Sequence, residues 1–298
     1  MKVIYFDCFS GAAGDMILGG LVDAGASMKA VIDNVNALGL SDASLSFETA
    51  NKNGLRATKA RVTTEARTRS SPEITALLSE APLDPAVRDL VNKVFDVLVD
   101  AEATAHGTSA QTVHLHEAGS DDALIDVVGS CAALLSLEPE LVVTSPLPTG
   151  GGFVESAHGR LPVPVPAVVH ILKGLPLVSR GGRELVTPTG ASFLKAVSHR
   201  FGDMPDMILD SIGYGAGDQD DELPNVVRVM IGEGLESHAS SDVVLLETNI
   251  DDMAPELFPF VIERLMASGA HDAWATPILM KKHRAAFTLS VLCATTDR

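Results

Sequence analysis

Residues 2–25 read KVIYFDCFSGAAGDMILGGLVDAG and carry the pattern from which the first part of the fold can be worked out. An apolar run ends at Asp7, small residues then extend to Asp15, and the apolar residues that follow recur at helical spacing. Gly25 has the position of a helix-ending residue. The stretch therefore predicts a strand, a loop and a helix in that order.

Outward from this unit, the apolar spacing continues to alternate between helical and extended patterns. Residues 45–48 and 57–63 read as a strand pair, because the Asn-Gly within 51–54 favours a tight turn. Helices are predicted at 28–38, at 121–137, from 168 and at 191–197. Two more are predicted within 71–104, one before and one after the segment 82–85. Strands are predicted at 113–117, 141–144 and 226–231. These segments indicate a mixed α/β domain.

Three segments rich in glycine or proline lie between these elements. Residues 146–166 are too apolar for a linker and read as an ordered loop. Residues 184–190 predict a turn that leads into a helix, and residues 212–217, IGYGAG, predict a glycine loop.

The polar stretch 233–242 is the best candidate linker, which divides the chain into domains at 1–236 and 242–298. After it, strands are predicted at 243–248, 273–276 and 287–292, and a helix at 255–268. This β-α-β-β order is three-quarters of a ferredoxin-like unit. The predicted fold class is therefore α+β, a mixed α/β N-terminal domain followed by a truncated ferredoxin-like unit.

Charge and composition exclude several functional classes. The 298 residues include 22 Lys plus Arg against 39 Asp plus Glu, a formal net charge of −17, so a general nucleic-acid binder is excluded. The apolar runs are interrupted before they reach the ~18 residues of a membrane span, so no membrane association is expected. The three cysteines are far apart in sequence, which is typical of a cytoplasmic protein.

The strongest local signal for chemistry is the stretch 113–126. If 113–117 is a strand, His114 and His116 project from one face, and Asp122 and Asp126 share a face of the following helix. Imidazole and carboxylate ligands suit Zn, Ni, Mn or Fe. The alternative is an exposed histidine pair beside a helix whose aspartates only favour its N-terminal dipole.

The loop after the first strand is a candidate anion site. Ser10, Gly11 and Gly14 would present free amides at a helix N-terminus. Asp7 and Asp15 beside them could equally bind a cation. The alternative is a turn selected only for tight packing between strand and helix.

Two further loops have weaker signals. Glu155 and His158 lie in the proline-braced loop, where His158 could act as an acid or base, although a lone loop histidine is more often a surface residue. Thr187, Thr189 and Gly190 could contact a phosphate or substrate, or simply form a turn.

In the second domain, Asp251 and Asp252 follow a strand together with Asn249 and Glu256, and such oxygen ligands suit Mg or Mn. The basic run 281–284 could meet phosphates that accompany the ion. A solvated acidic loop and an exposed basic turn are the alternative.

Taken together, these segments resemble one family, the nickel insertion proteins of the lactate racemase cofactor pathway (LarC-type). The resemblance covers essentially the whole chain, and its motifs occur in the family's order. They are YFDCFSGAAGDM (5–16), VHLHEAGSDDALIDVVG (113–129), SPLPTGGGFVESAHGRLPVPVPA (145–167), ELVTPTGA (184–191), IGYGAG (212–217), PNVVRV (224–229), ETNIDDMAPEL (247–257) and TPILMKK (276–282).

The resemblance implies a nickel insertion enzyme, a cyclometallase of the lyase class. Such an enzyme places Ni2+ into pyridinium-3,5-bisthiocarboxylic acid mononucleotide, forming one nickel-carbon and two nickel-sulfur bonds. The reaction depends on CTP, used with Mn2+ or Mg2+ on the C-terminal domain, and its product serves the lactate racemase apoprotein.

On this resemblance, the Ser10 to Gly14 loop would hold the mononucleotide phosphate, and His114, His116 and the nearby aspartates would deliver nickel. His158 or Glu117 would accept the proton of the ring C–H bond. A nickel-binding chaperone without catalysis and a metal-dependent hydrolase remain alternatives.

Two departures from the family pattern set further expectations. The region 67–72 lacks the histidine-rich stretch that many members carry, and members continue well past Arg298. The CTP site is therefore expected to be incomplete, and this chain alone is expected to bind nickel but to insert it weakly. An incomplete sheet would leave an unpaired edge, which allows a homo-oligomer.

Overall fold

In the computed structural model, which describes residues 1–65, 67–156, 159–219, 222–235 and 243–294, the opening stretch folds as predicted into strand β1 (Lys2–Asp7) and helix α1 (Gly14–Asp23). The chain divides into two compact units, Met1–Leu235 and Glu236–Arg298. Residues 236–242 of the predicted linker lie outside the described ranges.

Within its described residues, the first unit contains six further α-helices and ten further strands. The helices are α2 (Met28–Ala37), α3 (Ser71–Glu80), α4 (Pro85–His106), α5 (Asp121–Ser136), α6 (Pro166–Leu172) and α7 (Pro188–Val197). The strands are β2 (Ser44–Lys52), β3 (Leu55–Thr63), β4 (Leu141–Thr144), β5 (Leu147–Pro148), β6 (Phe153–Ser156), β7 (Gly159–Pro162), β8 (Leu177–Val178), β9 (Arg200–Phe201), β10 (Met207–Ala216) and β11 (Val226–Gly234).

A seven-stranded mixed sheet forms the first layer, in the order β2-β3-β10-β11-β1-β4-β9. Strand β1 lies between antiparallel β11 and parallel β4. The predicted strand pair is the antiparallel hairpin β2–β3, with the amide of Gly54 donating to Oδ1 of Asn51 in its turn. The segment predicted as an ordered loop also holds the short hairpin β6–β7.

The helical layer is organised around α5, whose residues from Ala123 to Leu134 are all buried. A helix that is apolar on all sides packs against several neighbours at once. Helix α5 accordingly packs against α1, α2, α4 and α7, so α1 lies between α5 and the sheet.

Residues 212–217 do not form the predicted glycine loop, and the prediction was wrong because it took glycine as a turn signal. Residues up to Ala216 belong to strand β10. A Cβ atom on Gly213 would overlap the backbone of Ala24, and one on Gly215 would overlap the carbonyl oxygen of Met16. The glycines therefore allow the backbone of α1 to lie directly on the strand.

The second unit contains β12 (Val243–Ile250), α8 (Phe258–Ala267), β13 (Asp272–Met280) and β14 (Arg284–Ala294). Its three strands form an antiparallel sheet in the order β12-β14-β13. The rings of Phe258 and Phe287 lie 4.8 Å apart between helix and sheet. The α+β class is confirmed, and no helix of the described ranges is long and apolar enough to cross a membrane.

We predict that Gly215→Ala destabilises the protein by about 3 kcal/mol or more, because the added methyl group must push α1 away from β10. Gly182→Ala is the matched control, since its Cβ would meet open space, and its effect should stay within ~0.5 kcal/mol. Urea unfolding of both variants measures the difference. Equal stability of the two would show that α1 does not need this contact.

Candidate functional site

Two of the glycine-bearing motifs meet at the start of α1. The amide of Ala12 donates to the carbonyl oxygen of Leu185 at 2.8 Å. The amide of Thr187 donates to the carbonyl oxygen of Ala12 at 3.0 Å. A Cβ on Gly11 would overlap Leu185, and one on Gly190 would overlap Ala12. Both glycines are thus needed for the close approach of the two segments.

Next to this junction lies a polar cavity of about 320 Å³, called the smaller cavity here. Charged side chains from several elements contribute to its lining. They are Asp15, Lys59, Arg61, Asp122, Asp126, Arg183, Glu184 and Asp218.

A second cavity of about 460 Å³, called the larger cavity, combines an apolar wall with carboxylates and imidazoles. Its apolar wall includes Leu115, Ala123, Val154, Leu161, Val165 and Ala167. Its ionisable residues are Glu102, His106, His116, Glu117, Asp122, Asp126 and Glu184.

The two cavities share a wall formed by Asp122, Asp126, Glu184, Thr187 and Thr189. Both aspartates of this wall were predicted as metal ligands, and both threonines were predicted as cofactor contacts. Thr187 caps α7, with its Oγ1 accepting from the amide of Gly190 at 3.2 Å and lying 3.0 Å from Oγ1 of Thr189. Tertiary structure therefore gathers two distant motifs at one wall.

Asp126 is the buried centre of this wall, with 6% of its surface exposed. A Cβ on Gly14 would lie 2.7 Å from its Oδ2, so the glycine allows α1 to pack against the carboxylate. Burial, Asp15 and Asp122 raise the pKa of Asp126 well above its usual value, against the opposing effects of Lys59 and the Asp15 amide. The group that faces the start of α1 is thus a carboxyl of the protein itself.

The Oδ1 atom of Asp126 is buried and has no hydrogen-bond partner in the described part of the chain. A buried acceptor without a partner is costly, and such atoms are concentrated at functional sites. Because the residue lines both cavities, a small rotation of its side chain would bring this oxygen to a bound cation or donor.

Lys59 on β3 lies in the lining of the smaller cavity and was not predicted, because a single lysine on a strand has no distinctive pattern. Its ammonium pairs with Asp15 and, at 2.9 Å, with Asp218. Burial alone would lower the pKa of Lys59, but these two carboxylates raise it above its usual value. Lys59 therefore stays charged.

The prediction of a strand at 113–117 was wrong. His116 begins a short 3-10 helix, His116–Gly119, with a φ of 44°. The chain turns there because its backbone pairs with an earlier segment. The amide of Arg69 donates to the carbonyl oxygen of Gly119 at 2.8 Å, and the amide of Asp121 donates to the carbonyl oxygen of Arg67. Alternation along a strand therefore does not relate the two histidines.

His114 is exposed, whereas His116 is half-buried and lines the larger cavity. Their ring centroids lie 6.3 Å apart. His106 at the end of α4 is a second neighbour of His116, with its ring centroid 5.8 Å away. Within the described ranges, no three His, Cys, Asp or Glu side chains are arranged so that they could hold a metal ion as they stand.

Glu102 and His106 form an acid and imidazole pair that was not predicted. They lie one helical turn apart on α4, with 3.6 Å between Oε2 of Glu102 and Nε2 of His106. Their spacing of four residues is a sequence signal that could have identified the pair. Burial, with a further contribution from Glu117, raises the pKa of Glu102 to about 7.

The remaining predicted residues are distributed as follows. Asp7 accepts from Nε of Arg228 at 3.0 Å at the end of β1, and Ser10 is buried. Glu117 is exposed at the larger cavity, and His158 lies outside the described residues.

In the second unit, Oδ2 of Asp251 accepts from an Arg284 guanidinium nitrogen at 3.1 Å, and Asp252 is exposed. An ion bound to Asp251 would therefore have to compete with this arginine.

Comparisons with known proteins identify the family. The family model described as nickel insertion protein matches residues 4–298. A relative from a Geobacter species, named provisionally as a nickel insertion protein, is 42% identical over 302 residues, which are 100% of this chain and 78% of the relative. One from Gloeobacter violaceus with the same provisional name is 44% identical, covering 99% of this chain and 76% of the relative.

Among solved structures, the match is to the apo C-terminal domain of a cyclometallase involved in the synthesis of the NPN cofactor of lactate racemase. It is 42% identical and covers 18% of this chain and 38% of that chain, with a TM-score of 0.18. This short match does not bear on the fold of the whole chain.

We predict that Glu102→Gln stabilises the protein increasingly as the pH rises. The pKa of Glu102 is about 7 in the folded protein against an ordinary 4.5, so folding favours its protonated form. Its contribution is fully present below the ordinary value and is lost as the pH rises through about 7. Urea unfolding at about pH 5 and about pH 8 measures the change.

The exposed Glu80 supplies the control, since Glu80→Gln should show the same difference from wild type at both pH values. A constant difference for Glu102→Gln as well would contradict the burial of its charge.

Proposed function

The chain belongs to the nickel insertion protein family, and from this premise we propose that its substrate is pyridinium-3,5-bisthiocarboxylic acid mononucleotide. In the proposed reaction, a CTP-dependent cyclometallation, Ni2+ forms one bond to a ring carbon and two to thiocarboxylate sulfurs. The product is the nickel-pincer cofactor of lactate racemase. The order of the quoted motifs along the chain supports this assignment.

The observation that carries the proposal is the shared wall between the two cavities. Cavities of about 320 and 460 Å³ are of the size that holds small organic ligands. The larger cavity offers an apolar wall suited to a planar ring and imidazoles suited to Ni2+. A substrate that spans the wall would place its ring and its phosphate in different surroundings.

The charges of the smaller cavity suit a phosphate only with added cations. Lys59, Arg61 and Arg183 are outnumbered by the carboxylates around them. A divalent ion such as Mg2+ or Mn2+ commonly binds to one or two carboxylates and to substrate phosphates together. We therefore assign the phosphate end of the mononucleotide to this cavity, beside Thr187 and Thr189.

The insertion step releases one proton. The electron pair of the ring C–H bond becomes the nickel-carbon bond, and nickel remains divalent, so no oxidant is required. A carboxylate at the larger cavity can accept the proton, and Glu117 is our first candidate. His158 remains a second candidate.

The role of CTP is assigned to the second unit. Asp251 and Asp252 would hold its Mn2+ or Mg2+, and the basic residues 281–284 would meet its phosphates. Arg284 donates to Asp251 at 3.1 Å. When the nucleotide binds, this guanidinium could release the carboxylate and donate to a phosphate instead.

The test is to incubate the chain with the thiocarboxylate mononucleotide, Ni2+, CTP and Mn2+, and to measure activation of lactate racemase apoprotein. We predict that Asp126→Asn lowers the insertion rate at least 100-fold, because this buried carboxylate forms the wall of both cavities. Asp89→Asn, an exposed change on α4, should leave the rate unchanged.

Nickel binding without insertion by the wild-type chain would favour a chaperone and refute the proposed catalysis. Full activity of Asp126→Asn would show that the shared wall takes no part in the reaction.

A further inference from the structure

Two chain segments, the end of α4 and the 3-10 helix before α5, contribute imidazole and carboxylate groups to the larger cavity. Glu102 and His106 come from the last turns of α4, and His116 comes from the 3-10 helix before α5. All three side chains line the cavity. Of these three, sequence reasoning identified only His116, and it paired that residue with His114.

The separations within this cluster are close to those of ligands around one metal ion. Donor atoms that lie about 2 Å from an ion stand roughly 3 Å apart at a right angle. Nε2 of His106 and Oε2 of Glu102 are 3.6 Å apart, so a small side-chain movement would bring them to that distance.

The imidazole separation is wider than that of two ligands of one ion. Two imidazoles that bind one ion through ring nitrogens place their centroids roughly 4.5 to 5.2 Å apart, at angles between a right angle and the tetrahedral angle. The rings of His106 and His116 are 5.8 Å apart. The described donors do not yet converge on one point, so binding requires the rings to reorient.

The surroundings also favour a cation that is later released. The larger cavity carries Glu117 and Glu184 beside the cluster, and its negative charge attracts a divalent ion. Two nitrogens and one oxygen suit Ni2+ without the thiolates that would retain it. Cys8 and Cys131 are buried and do not line either cavity.

We propose that Glu102, His106 and His116 form the site at which Ni2+ first binds before its transfer to the substrate. The identity of the ion as cargo rests on the proposed function, whereas the site itself rests on the cavity geometry. From this position the ion lies in the cavity whose wall holds Asp122 and Asp126, and the sulfur ligands of the substrate would displace the protein ligands.

The experiment measures binding of Ni2+ alone by isothermal titration calorimetry, with no nucleotide or cofactor precursor. We expect at least tenfold weaker binding in Glu102→Gln, His106→Asn and His116→Asn, because each removes one ligand. The exposed His170→Asn on α6 is the control and should bind as wild type does. Thermal unfolding of each variant shows that it is folded.

Wild-type affinity in Glu102→Gln and His106→Asn would overturn the proposed site. So would an equal loss in His114→Asn with no loss in the α4 variants, which would place the ion on the 114–116 loop. A cobalt-substituted protein gives a second readout, since removal of a nitrogen ligand should change its visible absorption bands.

The two proposals fail separately. If the variants lose Ni2+ binding but the wild-type chain inserts no nickel, the binding site stands and the insertion function fails. If the wild-type chain inserts nickel and the three variants bind and insert it equally well, the insertion function stands and the binding site fails.

Discussion

The position of α1 between the sheet and α5 is the constraint on which the first unit depends. Backbone meets backbone where Gly215 of β10 faces Met16, and on the opposite side Gly14 lies against Asp126 of α5. Neither contact tolerates an added methyl group without movement. Because dense packing transmits such movement, these two contacts fix where the N-terminus of α1 lies and therefore where both cavities form.

The same packing explains the unusual electrostatics of the wall between the cavities. Asp126 is buried because α5 is covered on all sides, yet its carboxylate faces the start of α1, where the helix dipole and the Asp15 amide offset part of the desolvation cost. Asp15 in turn is held by Lys59. A buried acid and its acidic neighbours thus outnumber the one buried cation beside them, which leaves negative charge for a cationic ligand.

The larger cavity shows how a reactive arrangement can be assembled from parts that have little meaning alone. Glu102 and His106 are an ordinary pair on a helix, and His116 lies in a turn that is fixed by hydrogen bonds between 67–69 and 119–121. Their convergence in a cavity with an apolar wall places imidazole and carboxylate groups side by side at a partly exposed site. Charge interactions at such a site are stronger than those between fully exposed groups.

Local patterns in the sequence were sufficient to predict β1, α1, the β2–β3 hairpin, α5 and the α+β class, because hydrogen-bond periodicity and burial repeat over short distances along the chain. They also marked Asp122, Asp126, Thr187 and Thr189 as candidate site residues, although not that these residues share one wall. Only the tertiary structure decided that 212–216 is part of a strand and that 113–117 is not, since the deciding contacts come from α1 and from residues 67–69. The spacing of Glu102 and His106 indicates their pairing, but their position at the larger cavity and the ion pairs of Lys59 depend on the tertiary structure.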